Sequence, residues 1–108
     1  MSKLSTHILN TSNGLPAAGI KVTYRANGVI VVSALTNSDG RVVDLLNGAA
    51  LTTGNHTLTF EVSGYFAAQE QESFFSDINV DFVVSDLNRN YHVPLLLSPF
   101  SFTTYRGS

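Results

Sequence analysis

Three histidines are the side chains of this sequence that can exchange a proton near neutral pH: His7, His56 and His92. His7 and His92 each lie in an apolar segment of β-strand character, which predicts that both are carried by strands. Two strand imidazoles in a chain so poor in charge suggest a site for proton transfer, with a purely structural role for each as the alternative. His56 follows the turn pair Gly54-Asn55 and is predicted to be a solvated loop residue.

Two arginines and the last residues can add positive charge and polar contacts to such a site. Arg41 directly follows a turn and is either a solvated cation at the start of a strand or a donor to a ligand. Arg106 follows an apolar stretch near the end of the sequence, and is either part of a frayed tail or a deliberately placed charge. Residues 106–108 are called the tip here. Gly107 lets the tip bend, and Ser108 offers a hydroxyl beside the terminal carboxylate. Two imidazoles, one or two guanidiniums and the tip therefore form the candidate site.

Several other chemistries lack the residues that they need. The absence of cysteine removes disulfides, thiol nucleophiles and thiolate ligands. There is no Gly-x-Ser-x-Gly nucleophile elbow and no glycine-rich phosphate loop. No two histidines have the close spacing of a zinc site, so a metal held by all three is disfavoured. A net charge of −2 with scattered Lys and Arg predicts neither a nucleic acid nor an anionic membrane as partner.

Short alternating strands are the elements that must position these residues. From Leu4 to Leu9 the pattern places Ser5 and His7 on one side and Leu4, Thr6 and Ile8 on the other. The turn pair Asn27-Gly28 predicts an antiparallel hairpin. The predicted strands are 4–9, 19–25, 29–36, a short one starting at Val43 and Leu45 and ending near Asn47-Gly48, 56–62, 78–84, and two runs that flank Ser98-Pro99 as a terminal hairpin or corner.

One helix interrupts these strands. Residues 65–75 contain good helix formers, and Phe66, Glu70 and Phe74 recur every four residues, as on one helix face. Seven or eight short strands with one helix predict an all-β fold, a two-sheet β-sandwich in which residues 1–108 form a single domain.

The composition adds an expectation about assembly and location. Apolar residues make up 44% of the sequence and charged residues only 13%, about half the usual charged fraction. Part of the surface is therefore predicted to be a subunit interface. The chain as given has no leader and no apolar run of roughly 20 residues, which predicts a cytoplasmic protein, with periplasm and peroxisome as alternatives.

Five segments, taken together, resemble the 5-hydroxyisourate hydrolases, the transthyretin-like enzymes of purine breakdown. The segments are Leu4-Ser5-Thr6-His7-Ile8-Leu9, Gly14-Leu15-Pro16-Ala17, Thr36-Asn37-Ser38-Asp39-Gly40-Arg41, Tyr91-His92-Val93-Pro94-Leu95-Leu96-Leu97-Ser98-Pro99 and Tyr105-Arg106-Gly107-Ser108. The last tetrapeptide is the most specific, because it separates these enzymes from hormone-carrying transthyretin. The family's marker residues match His7, Arg41, His92 and Ser108. The departures are small: Asn10 stands where Asp is common, and Phe102 where Tyr is frequent.

The resemblance implies a transthyretin-like sandwich of two four-stranded sheets, assembled as a homotetramer with pockets at the dimer–dimer interface. It implies hydrolysis of the ring amide of 5-hydroxyisourate to 2-oxo-4-hydroxy-4-carboxy-5-ureidoimidazoline in urate catabolism, without metal or cofactor. His7 and His92 would activate water, and Arg41 would orient the substrate and stabilise charge. Arg106 and Ser108 would close the pocket with polar contacts, and Tyr105 would pack the tip in place.

Two other functions remain open on the sequence. A transthyretin-like sandwich can carry a small ligand without chemistry, and its histidines would then only line the site. A structural or adhesion module is the third possibility, although such modules do not need the closing Tyr-Arg-Gly-Ser. Product formation above the spontaneous rate distinguishes the enzyme from both.

Overall fold

Two β-sheets and one short helix make up the fold of residues 2–108, which are the residues described by the computed structural model. The predicted two-sheet β-sandwich is therefore confirmed. The elements in chain order are β1 (Leu4–Asn10), β2 (Leu15–Pro16), β3 (Lys21–Ala26), β4 (Val29–Leu35), β5 (Arg41–Val42), β6 (Gly54–Glu61), α1 (Ser63–Ala67), β7 (Asp77–Val84), β8 (Tyr91–Leu97) and β9 (Phe102–Thr104). No helix in this part of the chain is long and apolar enough to cross a membrane.

The first sheet is built around β1 and has the order β2-β1-β8-β9, with β5 also paired to β1. β1 and β8 are parallel, and the other pairs of this sheet are antiparallel. This sheet has five strands rather than the four that the resemblance implies, because two short strands share one edge of β1. β5 pairs with Thr6 and His7, and β2 pairs with Leu9 and Asn10. The second sheet has the antiparallel order β4-β3-β6-β7.

The alternation along β1 sets the two faces of the first sheet. Leu4, Thr6 and Ile8 are fully buried against the second sheet, whereas Ser5 and His7 lie on the outer face and are half-buried. This is the predicted division, and it follows from the two-residue period of a strand. Burial of each large apolar side chain contributes roughly 1.5–3 kcal/mol. The core therefore fixes which side chains of β1 reach the outer face.

Both predicted hairpins are present. β3 and β4 pair across Asn27 and Gly28, which have φ angles of 51° and 84°. Positive φ at both central positions is the requirement of the turn predicted here. β8 and β9 form the terminal hairpin, closed by the Ser98 N–H, which donates to the Ser101 carbonyl at 2.9 Å. The chain's last residues are thus tied to the first sheet.

The predicted helix over residues 65–75 is wrong in extent. α1 covers only Ser63–Ala67 and ends in a left-handed Glu70, whose φ is 58°. The Glu70 and Gln71 N–H groups donate back to the Ala67 and Phe66 carbonyls, which is the hydrogen bonding of a Schellman C-cap. Phe66 is fully buried while Phe74 is 75% exposed, so they share no helix face. Helix propensity is overridden because the chain must turn here to begin β7.

The predicted short strand from Val43 and Leu45 is also wrong. The strand is β5, and it stops at Val42. The Asp44 carboxylate accepts hydrogen bonds from the Leu46 and Asn47 N–H groups, and this turn replaces further pairing. Val43 is consequently exposed, and Leu45 packs into the core instead.

The predicted solvated position of His56 is wrong as well. His56 lies within β6 and is fully buried, stacked on Tyr24 with ring centroids 5.6 Å apart. Its Nε2–H donates to the Thr52 carbonyl at 2.9 Å, so Nδ1 accepts from the Tyr24 hydroxyl at 2.6 Å. Burial lowers the pKa of this imidazole, and the Thr52 hydrogen bond raises it by less. His56 is therefore a neutral, satisfied core residue.

Candidate active site

Strand register brings three candidate residues to the outer face of the first sheet. Arg41 of β5 lies directly opposite His7 of β1. His92 of β8 lies opposite Ser5, two residues before His7 on the same face of β1. The central position of β1, between β5 and β8, thus gathers side chains that are far apart in sequence.

The tip of the chain packs directly onto His92. The Gly107 N–H donates to the His92 carbonyl at 2.8 Å and forms an isolated bridge with that residue. A Cβ atom at position 107 would lie 2.7 Å from Cδ2 of His92 and 3.1 Å from Cγ of Pro94. Only glycine allows so close an approach, so the tip packs tightly against the imidazole of His92.

A cavity of about 290 Å³ opens at this point. Its lining includes Arg41, His92 and Ser108, which were all predicted as site residues, together with Ser5 and Asn90. This cavity is the candidate active site. His7 lies beside it as the strand neighbour of Arg41.

Tyr105 and Arg106 are placed differently from the other predicted residues. They line a neighbouring cavity, also of about 290 Å³, that extends towards β7 and includes Asp86 and Arg89. His92 lines both cavities. Within one chain, Arg106 and Tyr105 therefore lie on the other side of His92 from Arg41 and Ser108.

His92 is held in a setting that favours its neutral form. Burial lowers the pKa of the imidazole, and electrostatic repulsion by Arg41 and by His7 lowers it further. A hydrogen bond to the Ser5 backbone acts in the opposite direction. The Ser5 Oγ lies 2.8 Å from His92 Nδ1. A neutral imidazole beside a guanidinium can accept a proton from water while the guanidinium binds an anionic or carbonyl oxygen.

Ser5 and Asn90 were missed as site residues. Asn90 Oδ1 accepts from the Lys3 N–H at 2.8 Å and joins the two strands beside the cavity. The alternation of β1 already placed Ser5 on the face of His7, which was the available signal. The parallel pairing that puts Ser5 opposite His92 has no local signature.

The three histidines do not come together, because His56 lies in the second sheet. Among residues 2–108 no group of three or more His, Cys, Asp or Glu side chains is arranged to hold a metal ion. The candidate site consists instead of imidazoles, a guanidinium and hydroxyls.

The fold and this outer-face site define a transthyretin-like β-sandwich. Residues 4–107 match the model of the HIUase/Transthyretin family, and the chain belongs to that family. It is 42% identical over 113 residues to a 5-hydroxyisourate hydrolase of Deinococcus radiodurans, with 97% of this chain and 95% of the relative covered.

Solved structures agree with this assignment. The structure of the 5-hydroxyisourate hydrolase of Klebsiella pneumoniae superposes with a TM-score of 0.91 at 39% identity, covering 100% of both chains. Sea bream transthyretin in complex with thyroxine gives a TM-score of 0.88 at 26% identity, covering 97% of this chain and 94% of the other. The predicted family and the transthyretin-like fold are thereby confirmed.

Proposed function

We propose that this protein hydrolyses the ring amide of 5-hydroxyisourate to 2-oxo-4-hydroxy-4-carboxy-5-ureidoimidazoline in urate breakdown. The observation that carries the proposal is the meeting of Arg41, His92 and Ser108 at one cavity. Relatives named 5-hydroxyisourate hydrolase match nearly the whole chain, which supports the same activity here.

Hydrolysis of a cyclic amide needs a deprotonated water, a stabilised oxyanion and a protonated leaving nitrogen. In our proposal, the neutral imidazole of His92 takes a proton from water as the water oxygen bonds to the amide carbon. The resulting tetrahedral oxyanion is stabilised by the Arg41 guanidinium. The carbon–nitrogen bond then breaks, and the proton held by the imidazole passes to the leaving nitrogen. No redox partner is needed, because water supplies every added atom.

The remaining residues have supporting roles in this proposal. His7, opposite Arg41 in β1, completes the imidazole pair and shuttles protons with His92. Ser108 contributes its hydroxyl to the substrate pocket. Tyr105 and Arg106 contact substrate only if it extends past His92 into the neighbouring cavity. No metal or cofactor is required by this chemistry.

We propose that the working form is a homotetramer with its pockets at the dimer–dimer interface. The outer face of the first sheet, which carries the site, is open in the single chain. Leu15 and Phe100 lie at one end of that sheet and are 59% and 65% exposed. Exposed apolar groups of this size are suited to contact with another subunit. The low fraction of charged residues supports the same conclusion.

A ligand-binding protein without catalysis is the alternative. It is favoured by the similarity to a transthyretin solved with thyroxine. The enzyme is the better supported function, because the cavity presents Arg41 and a neutral imidazole, which are groups that do chemistry on amides rather than merely contact an apolar ring. A single domain over residues 1–108 and a cytoplasmic location remain predictions, to be tested by limited proteolysis and cell fractionation.

Turnover of freshly generated 5-hydroxyisourate, followed by ultraviolet absorbance, tests the proposal. The protein should increase the rate well above spontaneous decay, and His7→Ala and His92→Ala should each lower it. Lys21→Ala is the control, since Lys21 lies on the second sheet in an exposed ion pair with Glu61. Wild-type decay at the spontaneous rate would refute catalysis. Wild-type activity in both histidine variants would refute the proposed mechanism.

A further inference from the structure

The Ser5 side chain lies at the back of the imidazole that faces the candidate cavity. Its Oγ is 2.8 Å from Nδ1 of His92, and both residues are half-buried. A histidine that acts as a base through one ring nitrogen must carry its proton on the other. A hydrogen-bonding partner at that second nitrogen decides which form is present.

The strand pairing fixes this contact. Ser5 is opposite His92 in the parallel pair of β1 and β8. At the residues before this pair, the Tyr91 N–H donates to the Lys3 carbonyl at 2.8 Å. At the residues after it, the Thr6 hydroxyl donates to the Val93 carbonyl at 2.6 Å. These bonds prevent a slip of register that would carry Ser5 away from the imidazole.

The other side of the imidazole is held by the tip. Gly107 bonds to the His92 backbone and packs at the Cδ2 edge of its ring. Ser5 at Nδ1 and Gly107 at Cδ2 therefore hold the ring from two directions. The ring nitrogen left for the cavity is Nε2.

We propose that Ser5 is a positioning residue, whose hydroxyl accepts a hydrogen bond from Nδ1–H of His92 and so keeps the Nε2 lone pair available as the base. This inference rests on the proposed hydrolase function and adds a residue to it. The Arg41 guanidinium on the same face agrees with this assignment, because it disfavours a second proton on the ring. Ser5 itself does not need to touch the substrate.

The contact can be tested without substrate. Nitrogen-15 NMR of the histidine rings at a pH where His92 is neutral reports which nitrogen carries the proton. Wild type should show the proton on Nδ1 of His92. Ser5→Ala, which keeps only the hydrogen bond between the ring and the backbone of position 5, should shift part of the population towards Nε2–H, and Ser5→Thr, which keeps a hydroxyl on a strand, should restore the wild-type signal.

Turnover supplies the second measurement. Ser5→Ala should lower kcat on the order of 10- to 100-fold, the range seen when a group that orients a metal-binding imidazole is removed. KM should change little, and Ser5→Thr should recover most of the activity. An unchanged kcat in Ser5→Ala, or a loss of kcat with no change of ring protonation, would overturn the inference. Absence of turnover in wild type would instead refute the hydrolase proposal, while the NMR result would still decide the Ser5 contact.

Discussion

His7 and Arg41 lie directly opposite one another where β1 meets the two-residue strand β5. Their pairing places a guanidinium on the same outer face as His92, and its charge lowers the pKa of that imidazole. The short strand β5 is therefore the element that delivers positive charge to the candidate site, although it contributes little to the core.

Two replacements of Arg41 should separate the effect of its positive charge from the effect of its planar, forked guanidinium. In Arg41→Ala the His92 pKa should rise, because a positive neighbour is lost, so the acid limb of kcat/KM should move to higher pH. The rate at the optimum should fall by about 10²- to 10³-fold, as when an oxyanion donor is removed. Arg41→Lys should leave the acid limb near its wild-type position but still lower kcat, since an ammonium lacks the planar fork. An acid limb that stays fixed in Arg41→Ala would contradict this account.

Gly107→Ala should disable the site while leaving the fold intact. The added methyl would meet Cδ2 of His92 at 2.7 Å, so either the tip or the imidazole must move. We expect a fall in kcat of about 100-fold, as for a catalytic group displaced by about 1 Å, with little change of Tm. Gly64→Ala is the matched control, because its Cβ meets nothing within 4 Å and it lies in α1, where alanine is favoured. Equal activity in the two variants would show that the tip does not position His92.

His56 should make the protein less stable in acid. Its folded pKa lies below the unfolded value of 6.5, so below that pH the unfolded chain binds more protons than the folded one. The stability present above pH 6.5 should therefore be lost as pH falls, at up to about 1.4 kcal/mol per pH unit for one proton.

The measurement is urea unfolding between pH 7.5 and 4.5 at fixed protein concentration. His56→Gln, which can hydrogen-bond but cannot titrate in this range, should show a shallower decline of the free energy of unfolding with pH. Identical slopes for the two proteins would mean that His56 does not control the acid response.

Phe100→Glu should weaken the proposed tetramer. The side chain is exposed in the single chain, so a charge there should not disturb the core, but it would be buried between subunits in the proposed assembly. Sedimentation should show smaller species, and activity should fall because the pockets are proposed to lie at that interface. Leu35→Glu on β4, which is similarly exposed on the second sheet, should remain fully assembled. Loss of assembly in both variants would point to a general solubility effect.

The local patterns of the sequence predicted most strands correctly, because a two-residue alternation and an Asn-Gly turn are properties of a few adjacent residues. The alternation of Leu58, Phe60 and Val62, extended by two residues towards the N-terminus, would have placed His56 in the core. The helix over residues 65–75 was overestimated because helix propensity is weak beside the tertiary contacts around it. One of these is the Phe74 N–H, which donates to the Pro99 carbonyl at 2.8 Å.

The sequence predicted which residues belong to the candidate site better than it predicted how they are arranged. His7, Arg41, His92 and Ser108 were predicted from family motifs, and the register of the first sheet explains why the distant strands that carry the first three lie side by side. The separate cavity of Arg106 could not be predicted, because it depends on which side of His92 the tip passes. The role inferred for Ser5 likewise depends on a pairing between residues 87 positions apart.

The parallel pairing of β1 with β8 also determines when the site forms during folding. β1 cannot complete this sheet until residues 91–97 are available, and contacts between such distant segments are slow to form because a long loop must first be closed. The hairpin of β3 and β4, by contrast, joins neighbouring residues and can form early. Recovery of the proposed activity after dilution from denaturant should therefore follow completion of the first sheet, whereas spectroscopic strand content should also include earlier species that have no site.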